Sequence, residues 1–227
     1  MTARPQMDHE MAMILNELLE MGARVEDAIR LAIKSLKEKD SALARKVIDD
    51  DQIIDGLEDT IRDKCIKFMA RQQPLAGDLR RTVSILQMIR DMERIGDHCE
   101  DISKYTVRLE NEHYIKELID IPRMAELAAK MVKDALDSFV GKDLRLARKV
   151  WKSDEEVDEL FRNINDELLD LMTKDASKVK QSVMFTFIAA HIERIADYAT
   201  NICEETVFAI EGDYRMEQIE EAEERDS

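Results

Sequence analysis

From Pro5 to Leu36 the apolar positions Met11, Ile14, Leu15, Leu18, Met21, Val25, Ala28, Ile29, Ala32 and Leu36 recur at three and four. That is the spacing of one face of an α-helix. "KEKD" breaks the stripe, and Asp40 or Ser41 can cap a second helix carrying Val47, Ile54, Leu57, Ile61, Cys65 and Phe68. "RQQPLAGD", residues 71–78, is the clearest punctuation. Pro74 and Gly77 interrupt the helix there, and Asp78 offers an N-cap for a third helix running to about Leu109. "NEHYIKELIDIP", residues 111–122, reads as a linker, with Pro122 placed to open the next helix. The pattern then recurs: a helix over about 123–140, a turn at "GKD", a helix over about 144–173, a turn at "KDASK", and a helix over about 177–211. The acidic segment after Gly212 extends a helix or frays.

The two halves are repeats. "LARKV" stands at 43–47 and again at 146–150, an offset of 103; "ERI" at 93–95 and 193–195 gives 100. The loop after the second helix is therefore three residues longer in the first half, and the first helix carries about one extra turn at its end. The reading is all-α: six helices forming two sequence-related three-helix bundles with spectrin-like packing and short antiparallel connections. Residues 1–110 make the first repeat, 111–122 the linker, 123–212 the second repeat and 213–227 an acidic tail.

Composition narrows the picture. Six Gly and three Pro in 227 residues argue against a β-rich or loop-rich chain. A charged fraction of 37%, against about 25% in ordinary domains, fits long helices with broad solvated faces. The net charge of −16 without a Lys/Arg block argues against nucleic acid or anionic lipid as a partner and favours cations or basic protein surfaces. No apolar run of membrane-spanning length and no leader segment is read, so a soluble, cytoplasmic protein is expected. Cys65, Cys99 and Cys203 lack a CxxC spacing and read as reduced, buried side chains. The seam between repeats and the charged faces permit a homodimer.

Charge patterning adds chemistry. "RDMERIGDHCEDI" (90–102) puts Glu93 and Asp97 four apart, and "AHIERIADYATNI" (190–202) does the same with Glu193 and Asp197. Positions i and i+4 share one helix face, and Asp101 and Asn201 extend the rows by a turn. Upstream, Asp51/Asp55 and Asp154/Asp158 form two further pairs, related by the "LARKV" offset of 103. Around the turn near residue 74, Asp51/Asp55 and Glu93/Asp97 each stand about twenty residues away, hence at nearly equal height, about 30 Å along an antiparallel hairpin. The second half repeats this around residue 175. Four carboxylates converging between two helices repel unless splayed into water, paired with Arg94 or Arg194, or neutralised by bound cations. Oxygen ligands in this arrangement suit hard cations or iron.

The two E-R-I-[GA]-D segments, the upstream D-x-x-x-D pairs and "QQPLAGDLRR" (72–81) resemble the PhoU family of phosphate-signalling regulators, over about 7–212. The resemblance implies two three-helix bundles bearing multinuclear clusters of divalent or ferric ions, iron or zinc first, manganese or magnesium after them. One cluster would use Asp51, Asp55, Glu93 and Asp97 with Asp101; the other would use Asp154, Asp158, Glu193 and Asp197 with Asn201. Asp101 stands where the family often has Asn, and Tyr198 occupies the place of His98, where relatives often carry His. The two sites therefore need not hold the same metal, and His98 reads first as a packing histidine. The resemblance further implies a negative regulator that couples a Pst-type ABC phosphate transporter to a sensor histidine kinase.

Two other functions compete. Ferritin-like oxidases build sites from Glu-x-x-His motifs inside a bundle, but the acidic rows here are read as facing outward. No nucleophile–base pair or phosphate-cradling glycine loop is evident, so an enzyme is not expected. A metal-free helical adaptor would leave the acidic rows as solvated surface. Trp151 reads as a packing anchor. Arg80 and Arg81 read either as solvated cations or as an offer to an acidic partner.

Overall fold

The structure, a computed structural model, describes residues 3–214 and Met216. Helices α1 (Ala3–Glu38), α2 (Ser41–Gln72), α3 (Gly77–Arg108), α4 (Asp120–Gly141), α5 (Leu144–Lys174) and α6 (Val179–Glu211) follow in order, with a short 3-10 turn at Ala176–Lys178. The described residues contain no strand. The apolar stripes fix the packing: α1, α2 and α3 make one bundle, and α4, α5 and α6 the other. α3 packs against α6 and α1 against α4, while α2 and α5 each touch only their own bundle. The two bundles share one continuous core. At its centre Met88, Met92, Ile95 and Cys99 of α3 and Ile188, Ile192, Ile195 and Ala199 of α6 are fully buried.

Side-chain capping explains the starts of α2 and α5. Asp40 and Asp143, equivalent in the two repeats, accept hydrogen bonds from the backbone N–H of Leu43 and Leu146, satisfying donors that the first turn leaves unpaired. The third helix departs from expectation. Its N-cap is Ala76, at φ 46°, and it has no side-chain cap; Asp78 lies inside the first turn. α4 begins at Asp120, so Pro122 sits within the first turn instead of opening it, where a missing N–H costs nothing. The connections 73–76 and 175–178 are equally long; the change of offset from 103 to 100 falls on the helix ends, because α5 stops one residue before the counterpart of Gln72 and α6 starts two residues after the counterpart of Gly77. The extra length of the first helix lies at its N-terminal side, since α1 and α4 end at Glu38 and Gly141, 103 apart.

Buried hydroxyls follow the duplication. Ser35 and Ser138 donate to the carbonyls of Ala32 and Ala135, and Thr106 and Thr206 to those of Ile102 and Ile202. Such back-bonding satisfies a polar side chain without a partner helix.

The linker is pinned. Gln181 of α6 accepts from the Ile115 N–H at 2.6 Å and donates to the His113 carbonyl at 3.0 Å. The Tyr114 hydroxyl donates to the Leu36 carbonyl, and its ring meets Phe185 edge-on. The three cysteines are free and buried, and Trp151 packs against the core. Arg81 does not point into solvent: its guanidinium lies 5.7 Å from the Phe139 ring, across the bundle interface. After α6 the chain turns at Gly212 (φ 83°), stacks Tyr214 on Phe208 and buries Met216. The remainder of the acidic tail, 215 and 217–227, lies outside the described residues.

Candidate metal centres

Antiparallel packing of α2 on α3 brings the first acidic pairs together. The contact is close at Gly96: a Cβ there would stand 2.7 Å from Asp51 Oδ1 and 3.2 Å from Ile54 Cδ1. Glycine thus lets α2 lay Asp51 against α3 at Gly96. Burial, followed by the charges of Asp55, Asp97, Glu100 and Glu93, pushes the Asp51 carboxyl up to about 7. Burial and the Asp97, Glu58 and Asp55 charges raise Glu93; burial and Asp55 raise Asp97. Like charge from the neighbouring carboxylates thus outweighs the opposing charge of Arg94 at Glu93 and Asp97.

The second repeat builds the same arrangement between α5 and α6. Burial, Asp158, Asp197 and Glu193 push Asp154 up to about 6. Glu193 and Asp197 are raised by burial first. Asp154 Oδ1 is buried with no hydrogen-bond partner. Apart from the exposed Asp55, the acids of the rows are half-buried, in contrast to the solvated faces that periodicity alone suggests.

Arginine relieves the two groups unequally. Arg94 reaches Glu93 at 3.7 Å, whereas Arg194 reaches both Glu193 at 3.7 Å and Asp197 at 3.4 Å. An all-oxygen donor set suits a hard cation, and in the second group the orphaned Asp154 oxygen adds to the fit, although among the described residues no three of these carboxylates bring ligand oxygens within 4.8 Å of one another. Asp51, Asp55, Glu93 and Asp97 would hold one, and Asp154, Asp158, Glu193 and Asp197 the other.

Asp101 and Asn201 have other partners. Asp101 pairs with Lys104 at 3.1 Å and lies beside His98 and His191. The Asn201 amide donates to Asp91 of α3, whose carboxyl burial and Glu205 push up to about 7. Two carboxylates that sequence reasoning passed over join the first group: Glu58 acts on Glu93, and Glu100 acts on Asp51. Both were legible, because Asp51, Asp55 and Glu58 on α2, and Glu93, Asp97 and Glu100 on α3, follow the i, i+4, i+7 spacing of one face. Each is also held by a cation one turn on, Glu58 by Arg62 and Glu100 by Lys104. The chain's Glu-x-x-His spacing, Glu110 to His113, falls beyond the end of α3 in the linker, not on a bundle helix.

The PhoU domain family model matches the chain twice, over 18–106 and 121–206. The chain is 39% identical, over 87% of its length and 90% of the relative's, to the phosphate-specific transport system accessory protein PhoU homolog of Clostridium acetobutylicum. It is 30% identical, over 92% of its length and 87% of the relative's, to the phosphate-specific transport system accessory protein PhoU of Edwardsiella tarda. Among solved structures, PhoU from Pseudomonas aeruginosa superposes with a TM-score of 0.87 at 31% identity, covering 90% of this chain and 99% of that one. The regulatory protein PhoU from Streptococcus pneumoniae gives 0.86 at 28%, covering 92% and 99%. With both repeats matched and the six-helix frame shared end to end, the chain belongs to the PhoU family.

Proposed function

We propose that this protein is a metal-binding regulatory adaptor of phosphate uptake and phosphate-starvation signalling. It acts as a negative regulator, contacting a Pst-type ABC phosphate transporter and a sensor histidine kinase from the cytoplasmic side as a homodimer. The observation that carries the reading is the near-full-length similarity to proteins named as accessory to phosphate-specific transport. In agreement with an adaptor, no helix among the described residues is long and apolar enough to cross a membrane. The long rigid helices offer broad charged faces for partner contacts.

The carboxylate groups supply the cation-binding part of the proposal. Bound ions would neutralise the acidic faces and supply positive charge able to engage anionic groups, and the protein's own part is to hold the oxygens at fixed height on two packed helices. Loss of the gene in its host is expected to switch on the phosphate-starvation response in phosphate-rich medium, and the wild-type gene to restore repression. The transporter's ATPase subunit is expected to co-purify with the chain. Unchanged repression in the deletion strain would refute the regulatory role. Neutralising Glu93, Asp97, Glu193 and Asp197 together is expected to remove stoichiometric metal from protein purified without a metal-affinity tag. Undiminished metal content in that variant would refute the cation assignment.

A further inference from the structure

The groove where α3 crosses α6 holds a different set of donors. We propose that His98 and Asp101 of α3 and His191 of α6 form a separate metal site for a first-row divalent ion of the zinc, nickel and cobalt class. The two imidazoles approach with Nδ1 atoms 3.0 Å apart. One ligand atom from each of the three side chains lies within 4.8 Å of the others. Two nitrogens bound at about 2.0–2.1 Å to one ion stand about 3.0–3.4 Å apart across octahedral to tetrahedral angles. The histidines already have that spacing.

The surroundings hold the rings in place. Tyr198 lies 5.8 Å from His98, Tyr105 lies 6.0 Å from His191, and Phe187 stacks on Tyr105 at 6.0 Å. Asp101 is now paired with Lys104, a contact an ion would replace. The donor set of two imidazoles and one carboxylate selects borderline ions over the hard cations that suit the oxygen-only groups.

The site is not a product of the duplication. The offset of 100 carries His98, Asp101 and His191 onto Tyr198, Asn201 and Asp91, a trio without an imidazole. An ion here joins the two repeats at their interface, whereas each carboxylate group lies within one repeat. The proposal is independent of the oxygen-only sites, and its test keeps the two apart.

The full chain, without an affinity tag, carries Glu93→Gln, Asp97→Asn, Glu193→Gln and Asp197→Asn, is stripped with chelator and is then given zinc. One zinc per chain is expected to remain after dialysis, with two imidazole scatterers in its X-ray absorption spectrum. Adding His98→Gln or His191→Gln is expected to abolish that zinc, whereas His9→Gln and His113→Gln leave it in place. Asp101→Asn is expected to weaken it by more than about tenfold. Absence of retained zinc, a sphere of oxygen alone, or binding unchanged by His98→Gln and His191→Gln would overturn the proposal. Should the four-carboxylate background fail to fold, the same spectrum on the zinc-loaded wild type decides. Imidazole scattering there must vanish in the His98→Gln/His191→Gln pair, and its persistence or its absence from the wild type refutes the site.

Discussion

The two carboxylate groups share a frame and differ in what surrounds it. In the first repeat Glu58 and Glu100 stand beside the four core carboxylates; the repeat-equivalent positions in the second are Phe161 and Thr200. Gly96 admits Asp51 against α3, whereas the buried Ala196 fills the same place on α6. Arg194 touches two acids of its group and Arg94 only one. Burial first, and then the neighbouring carboxylates, push Asp51 up to about 7 and Asp154 up to about 6, and the first repeat adds Glu58 and Glu100 to its group. Duplication preserved the apolar stripes that set the heights of the acids, while the flanking positions diverged in charge.

The largest effect that breaks this comparison is loss of one group at a time. Glu93→Gln with Asp97→Asn is expected to remove the ions of the first site and leave those of the second, and Glu193→Gln with Asp197→Asn to do the reverse. Metal analysis of the dialysed variants measures both, and loss of all metal from either variant would show that the sites do not bind separately.

Next in size is the pH dependence of the cation-free protein. Asp51 at about 7 when folded, against about 3.9 in an unfolded chain, means the folded state binds more protons between those values. Stability is therefore highest below the unfolded value and falls as pH rises from about 4 to about 7. The melting temperature is expected to be lower at about pH 8 than at about pH 5. Asp51→Asn should flatten the dependence more than Asp154→Asn does, and added cation should restore stability chiefly at the higher pH, because it binds the deprotonated carboxylates.

A subtler exchange tests the close approach. Gly96→Ala gains about 1 kcal/mol of helix propensity and loses about 1–3 kcal/mol to crowding, so the net change is between none and about 2 kcal/mol of destabilisation, a fall in melting temperature of at most about 8 °C. The displaced Asp51 is nevertheless expected to weaken cation binding at the first site by about tenfold, a loss seen for shifted supporting groups. Calorimetric titration measures this; unchanged affinity would show that Asp51 is not a ligand.

The smallest effect concerns the arginines. Arg194→Ala is expected to strengthen cation binding at the second site by a few-fold, more than Arg94→Ala does at the first. The difference should vanish at high salt, where the Debye length falls to about 3 Å.

Much of this was legible along the chain. Val25, Ile29 and Ala32, or Ile188, Ile192 and Ile195, declare helices by spacing alone, because only one face of a 3.6-residue repeat can be apolar. Counting from the turns put Asp51/Asp55 beside Glu93/Asp97, because helical rise is nearly constant. The half-burial of Asp51, Glu93 and Asp97 was not legible, since it depends on how closely α2 and α5 pack, which Gly96 and Ala196 tune in three dimensions. The diversion of Asn201 to Asp91 and of Asp101 toward the histidines arises at the α3–α6 crossing, which joins residues about a hundred positions apart. His98 and His191 fit no shared motif, and the duplication hides them, because each faces a different residue type in its repeat counterpart.

The sequence by itself determined six helices, their duplication and the heights of two acidic groups, because these depend on local periodicity and chain length. Only the tertiary structure decided that the two bundles share one core, that Gln181 pins the linker, and that two histidines 93 residues apart meet in one groove. Those outcomes depend on which faces of α3 and α6 pack together, and burial of apolar area chooses that pairing over the whole molecule at once.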